Sequence, residues 1–94
     1  MDSLIARERE AIARLAARFG AGNVRVFGSR ARGDASPGSD LDLLVEMQSG
    51  RSLLDLIALE RELEALLGID VDVLTSGSIS PYLRDAIERE ATPL

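Results

Sequence analysis

The sequence predicts an α/β fold: a small three-stranded mixed sheet flanked by helices, in the order α-β-α-β-α-β-α. Two observations predict it. Segments with apolar residues at helical spacing alternate with short runs of period-two alternation, and glycine-, serine- and proline-rich breaks separate the two kinds of segment. Helices that alternate with strands in this way pack on the faces of a shared sheet.

Residues 4–19 place Leu4, Ile5, Ala11, Ile12, Leu15, Ala16 and Phe19 on one helical stripe, with Ser3 able to cap the start and Gly20 able to end it. Val24, Val26 and Phe27 form a short strand that runs into Gly28-Ser29, and a short helix is expected there. Asp34 to Ser39 (DASPGS) has the composition of a loop. From Asp40 to Met47 the alternation is clear: Leu41, Leu43, Val45 and Met47 share one face, and Asp40, Asp42, Leu44 and Glu46 the other. Gln48-Ser49-Gly50 is a turn. Ser52 with Asp55 forms a capping box ahead of a helix that turns Leu53, Leu56, Ile57, Leu63, Leu66 and Leu67 inward and Glu60 and Glu64 outward. Gly68 suits the position after that helix. Ile69 to Leu74 alternates as a third strand. Ser80-Pro81 starts a last helix, proline being favoured at the first helical position, and Pro93 closes the chain. Residues 1–94 read as one domain, with no internal repeat or linker.

Composition narrows the chemistry. There is no cysteine, so neither a disulfide nor a thiolate metal site can form, and no histidine, so imidazole is excluded as base, zinc ligand or pH switch. A bound metal must be held by oxygen ligands. The net charge of −5, from 11 basic and 16 acidic residues, argues against broad binding to nucleic acid, which needs a positive surface. It leaves room for a small anionic ligand held locally. No stretch approaches the length of a transmembrane helix and the N-terminus has no apolar signal core. The expectation is a cytoplasmic protein with no membrane partner.

Three features point to a site. Gly28-Ser29-Arg30-Ala31-Arg32-Gly33 follows a strand directly; glycine lets a ligand approach the backbone, and N–H groups at a helix start favour phosphate. Asp40-Leu41-Asp42 puts two carboxylates on one side of a strand, about 7 Å apart along the chain. They repel each other, and a divalent cation relieves the repulsion; Mg²⁺ suits one or two carboxylates plus substrate phosphates. Asp72, with Asp70 beside it, lies on another strand and joins Asp40 and Asp42 if the two strands are neighbours. Asp72 is preferred because it sits deeper in the apolar run. Phosphate contacts, metal ligands and a candidate base make up the inventory of metal-assisted phosphoryl chemistry.

Gly28-Ser29 followed by Asp40-Leu41-Asp42, within VFGSRARGDASPGSDLDLLVE, resembles the signature of the DNA polymerase β-like nucleotidyltransferase superfamily. The stretch from Val24 to Glu46, with VDVLT (Val71 to Thr75) and Pro81-Tyr82-Leu83-Arg84, resembles its minimal nucleotidyltransferase branch, so the likeness covers most of the chain. The resemblance implies that fold. It implies that Gly28 and Ser29 hold the triphosphate of ATP, with Ser39 grouped among the phosphate contacts. Asp40 and Asp42 would ligate two Mg²⁺ ions, and Asp72 would ligate one of them and activate the incoming hydroxyl. Arg32 matches the arginine of the family's GSxARG stretch and Arg30 fills its variable position; each either contacts phosphate or braces the loop.

The activity so implied is transfer of AMP from ATP to a hydroxyl. The 94 residues read as the catalytic domain alone, so a partner protein is expected to supply the acceptor. Proteins of this branch are typically encoded beside a HEPN-domain protein, and the resemblance implies an antitoxin that adenylylates a tyrosine of that toxin. The alternative is a non-catalytic module that binds nucleotide or neutralises a toxin by contact alone. The apolar faces of the first and last helices leave an oligomer open.

Overall fold

The stripe between residues 4 and 19 becomes helix α1 (Ser3–Arg18) in a computed structural model of the chain, which describes residues 2–94. Met1 lies outside the described residues. The cap is Asp2 rather than Ser3: its Oδ1 accepts the Leu4 N–H at 2.9 Å and the Ile5 N–H at 3.3 Å. Aspartate and serine are equally good caps, so the sequence left the choice open, and Asp2 has a second use described below.

Strand β1 (Ala21–Phe27) begins three residues before Val24. Asn23 adopts a positive φ of 45° and the pairing register shifts between Gly22 and Arg25, so a bulge hides the alternation of the first half. The one-turn helix α2 (Ser29–Arg32) follows Gly28, then β2 (Leu41–Met47), α3 (Leu53–Leu67) and β3 (Val71–Thr75). The capping box of Ser52 and Asp55 forms as expected, and Gly68 ends α3 in the left-handed conformation. A 3₁₀ turn (Ser76–Ser78) leads to α4 (Pro81–Glu90), with proline at its start. Two residues, Thr92–Pro93, then add a fourth strand, β4, beside β1. The expected three strands are therefore four, because a two-residue strand is too short to leave any periodicity. Proline is tolerated there because β4 lies at a sheet edge.

The sheet order is β3-β2-β1-β4. β1 runs antiparallel to β2 and β4, and β2 runs parallel to β3. One face carries the main core: Leu41, Leu43 and Val45 of β2 with Val71 and Val73 of β3 pack against Ile5 and Ile12 of α1 and Leu59 and Leu63 of α3. The other face holds a smaller cluster, Phe27, Leu44 and Ile79, joined by Leu74, Ile87 and Ala91. Leu44, on the same side of β2 as the aspartates, is fully buried there.

The free edge of β3 is closed by side chains. Glu64 of α3 accepts the Val71 N–H at 3.1 Å, Glu60 accepts the Val73 N–H at 2.8 Å, and Ser78 Oγ accepts the Thr75 N–H at 3.2 Å. The match is metrical. Positions i and i+4 of a helix are separated by about 6 Å of rise, and i and i+2 of a strand by about 6.6 Å. Glu60 and Glu64, read as outward-facing, are thus turned to the strand edge, which exposed amides would otherwise leave open to pairing.

Candidate active site

Backbone pairing assembles the acidic residues. Asp42 and Asp72 are register partners on the adjacent parallel strands β2 and β3, so their Cα atoms lie about 4.8 Å apart. Both project from the face opposite Leu41, Leu43 and Val71. Asp40 is exposed just ahead of β2, at the end of the DASPGS loop. The Leu41 N–H donates to the Asp70 carbonyl at 2.9 Å, which fixes the mouth of the two strands. Asp70 itself lies before β3 begins, so Asp72 is the residue that pairs with Asp42.

Asp42 is the half-buried member of the group. Burial raises its carboxyl above the usual aspartate range, and the negative charges of Asp72, Asp40 and Glu90 push the same way, against a smaller opposite pull from Arg32. The residues are close enough to repel but do not form a closed ligand set: among the described residues, no three acidic side chains stand ready-made around one point. The donor chemistry nevertheless fits a hard divalent cation, being all carboxylate with no nitrogen or sulfur ligand. A cation between Asp42 and its neighbours would remove the repulsion that burial enlarges.

Gly28 shapes the space beside them. It sits at φ 75°, ψ −159°, in a region that side-chain-bearing residues rarely enter. A Cβ built there would collide with the Asp42 carboxylate, reaching 3.2 Å from its Cγ and closer still to Oδ2. The bare backbone therefore leaves open a gap against Asp42. α2 is a single turn, so the dipole of a long helix is absent. The donors that line the gap are individual ones, the Gly28 N–H and the Arg32 guanidinium.

The structure separates the two arginines. Arg30 is buried, its side chain 3% exposed. Its Nε and Nη2 donate to the Ser39 carbonyl at 3.0 and 2.7 Å, Nη2 donates also to the Pro37 carbonyl at 3.0 Å, and Nη1 pairs with Asp2 Oδ2 at 2.8 Å. Arg30 thus ties the segment before Asp40 to the start of α1, the loop-bracing arrangement of its two expected roles, and every hydrogen bond its guanidinium makes among the described residues goes to that loop or to Asp2. Ser39 is likewise engaged within the loop, where its Oγ accepts the Ser36 N–H at 2.9 Å and meets Ser36 Oγ at 3.1 Å. Ser39, expected among the phosphate contacts, thus stands at the approach to Asp40 with its Oγ turned to Ser36. Arg32 is half-exposed and faces the site.

One residue at the site was not foreseen. Glu90, the last residue of α4, accepts the Gly28 N–H at 3.1 Å through Oε2 and the Arg32 Nη1 at 2.6 Å through Oε1. Arg32 donates in addition to Asp34 at 3.2 Å. The Arg32 pair, then the Gly28 amide, hold the Glu90 carboxyl below the usual glutamate range. A signal for it does exist in the sequence: a carboxylate ending a helix opposes the helix dipole, so Glu90 needs outside partners.

The profile of the nucleotidyltransferase domain family matches residues 8–94, and so spans every residue of this site. The chain belongs to the nucleotidyltransferase family. Among relatives of this nucleotidyltransferase, a protein of Methanocaldococcus jannaschii named as a protein adenylyltransferase is 50% identical over 74 residues, covering 79% of this chain and 80% of that protein. The protein adenylyltransferase MntA of Thermococcus cleftensis is 44% identical over 73 residues, covering 78% and 74%. A solved structure described as a minimal nucleotidyltransferase superposes with a TM-score of 0.87 at 50% identity, covering 100% of this chain and 97% of that one. A toxin–antitoxin crystal structure with AMP-PNP shares the fold at a TM-score of 0.76 and 22% identity, over 89% of this chain and 69% of that one. The mixed sheet flanked by helices is the fold of these neighbours. Among the described residues no helix is long and apolar enough to cross a membrane.

Proposed function

We propose that this nucleotidyltransferase is a Mg²⁺-dependent protein adenylyltransferase that moves AMP from ATP to a hydroxyl, most simply a tyrosine, of a HEPN-type toxin, and that it thereby acts as an antitoxin. The observation that supports this reading most directly is the pairing of Asp42 with Asp72 beside the gap that Gly28 leaves open. The names of the two relatives, protein adenylyltransferases at 50% and 44% identity, support the choice of a protein acceptor.

In this reading Gly28, Ser29 and Arg32 bind the triphosphate. The Gly28 N–H and the Arg32 guanidinium are donors, and the missing side chain at 28 admits the phosphates to Asp42. Arg30 and Ser39 act at one remove by fixing the loop that delivers Asp40. Asp40, Asp42 and Asp72 would hold two magnesium ions, which when bound would neutralise phosphate charge and lower the pKa of the attacking hydroxyl. Asp72, the exposed partner of Asp42, takes the hydroxyl proton on its carboxylate. The acceptor oxygen forms a bond to the α-phosphorus, the bond from that phosphorus to the bridging oxygen breaks, and pyrophosphate leaves with the electron pair. With no histidine or lysine in the chain, arginine is the only side-chain cation available to share the charge.

The test is direct. The protein is mixed with ATP, Mg²⁺ and the product of a neighbouring HEPN gene, and both proteins are weighed by mass spectrometry. An AMP increment on the partner that is lost with Asp42→Asn is the expected result. Full neutralisation of the toxin by Asp42→Asn with no increment on either protein would replace the enzyme with a contact-only module.

A further inference from the structure

We propose that Glu90 is an internal occupant of the triphosphate subsite, a carboxylate that holds the nucleotide's donors in the free protein and must swing away before the phosphates can take them. The proposal rests on the nucleotide-binding reading above and goes beyond it, since that reading gives Glu90 no part.

Three observations carry it. First, the Gly28 N–H has a single hydrogen, and Glu90 Oε2 holds it at 3.1 Å; a phosphate oxygen on the same amide and Glu90 exclude each other. Second, the other oxygen of Glu90 takes Arg32 Nη1 at 2.6 Å, while Asp34 takes Nε of the same guanidinium at 3.2 Å. The cation facing the site is thus paired with two of the protein's own carboxylates, and Glu90 holds one of its terminal nitrogens. Third, Glu90 sits where a carboxylate is least favoured, at the C-terminal residue of α4, next to the Asp40, Asp42 and Asp72 group. What holds it there is the same pair of donors that a phosphate would use.

The surroundings favour movement of the side chain alone. Ile87 and Ala91 pack on the smaller cluster, and Thr92 and Pro93 pair with Val26 and Arg25 of β1, so the backbone is held on both sides of Glu90. The carboxylate can rotate outward to solvent without unwinding α4. Occupation of this kind weakens the apparent affinity for nucleotide by the reciprocal of the fraction of molecules whose site is free.

The experiment compares wild type, Glu90→Gln, Glu90→Asp and Asp85→Asn by calorimetric titration with Mg²⁺ and the α,β-methylene analogue of ATP, which cannot release pyrophosphate. Glu90→Gln keeps the shape and removes the charge, and we expect about tenfold tighter binding, the size of one charge-assisted contact released. Glu90→Asp keeps the charge but shortens the reach, and binds with intermediate affinity; it also serves if the glutamine variant folds poorly, as judged by circular dichroism. Asp85→Asn removes the same charge from an exposed position of the same helix and leaves the affinity near wild type. Binding that is unchanged or weaker in both Glu90 variants overturns the proposal and makes Glu90 a brace for the Gly28 turn, with the nucleotide-binding reading intact. Equal tightening in Asp85→Asn also overturns it, in favour of a net-charge effect. No binding in any variant, wild type included, removes the nucleotide-binding reading and this proposal together.

Discussion

Two groups of acidic residues flank strand β3, and they are treated in opposite ways. On its free edge, Glu60 and Glu64 each accept a backbone N–H, and their charges serve the fold. On its other side, Asp72 stands against Asp42 with Asp40 nearby, and burial and like charge push the Asp42 carboxyl up. The first arrangement is complete as it stands. The second is electrostatically unfavourable by itself, and a cation placed there would relieve it. The two groups differ in what each is given as a partner, since composition and spacing treat them alike.

The sharpest test of this contrast is Asp42→Asn. We expect nucleotidyl transfer to fall by about 10²–10³-fold or more, the scale of losing a group that stabilises transition-state charge. The same variant should melt higher than wild type without metal, because a repelling charge has gone, and should lose any stabilisation by Mg²⁺ with nucleotide. A metal-free melting temperature that drops would break the comparison.

The structural group is tested by Glu60→Ala with Glu64→Ala. Each change leaves a strand-edge amide without its acceptor, and we expect a loss of about 1–2 kcal/mol per residue in denaturant unfolding, with transfer activity per folded molecule retained. The freed edge should also raise self-association, read by light scattering. Next in size is Gly28→Ala, which adds a methyl against the Asp42 carboxylate at a positive φ. It should cost about 1–3 kcal/mol of stability and weaken nucleotide binding, and relief of the contact by a second change, Asp42→Ala, should return part of the stability.

The smallest effect is one of pH. The folded-state pKa of Asp42 lies above its unfolded value, so the folded protein holds the proton more tightly. Its contribution to stability is therefore greatest at low pH and is lost as pH rises from about 4 through the raised value. Asp55 has the opposite sign: its carboxyl, lowered first by the Ser52 amide, stabilises above the ordinary range and ceases to do so on acidification. Thermal melts from pH 3.5 to 7 of Asp42→Asn and Asp55→Asn against wild type separate the two. A wild-type curve that Asp42→Asn leaves unchanged in slope would contradict the assigned cause.

Much of this was legible beforehand. The α1 stripe, the Ser52-Asp55 box, the Gly68 stop and the Pro81 start are local signals, encoded within one or two turns of chain, and they fold as read. The Asp40-Leu41-Asp42 alternation likewise shows which face the aspartates take. The bulge at Asn23 and the two-residue β4 were not legible, because a bulge cancels periodicity and two residues have none. Nor was the outward reading of Glu60 and Glu64 correct, because a helical wheel shows which side a residue leaves but not that a strand edge lies beside it.

The sequence alone determined the elements, the all-oxygen chemistry available to any metal, and the candidate residues Gly28, Arg32, Asp40, Asp42 and Asp72. Tertiary structure decided which of them meet. Parallel pairing in register puts Asp72 beside Asp42, burial assigns Arg30 to the loop while Arg32 keeps to the site, and the return of α4 brings Glu90 to Gly28 across 62 positions of chain. The physical reason is range. Capping and periodicity act over a few residues and are written locally, whereas repulsion, desolvation and competition for a donor depend on distances that exist only once the chain has closed on itself.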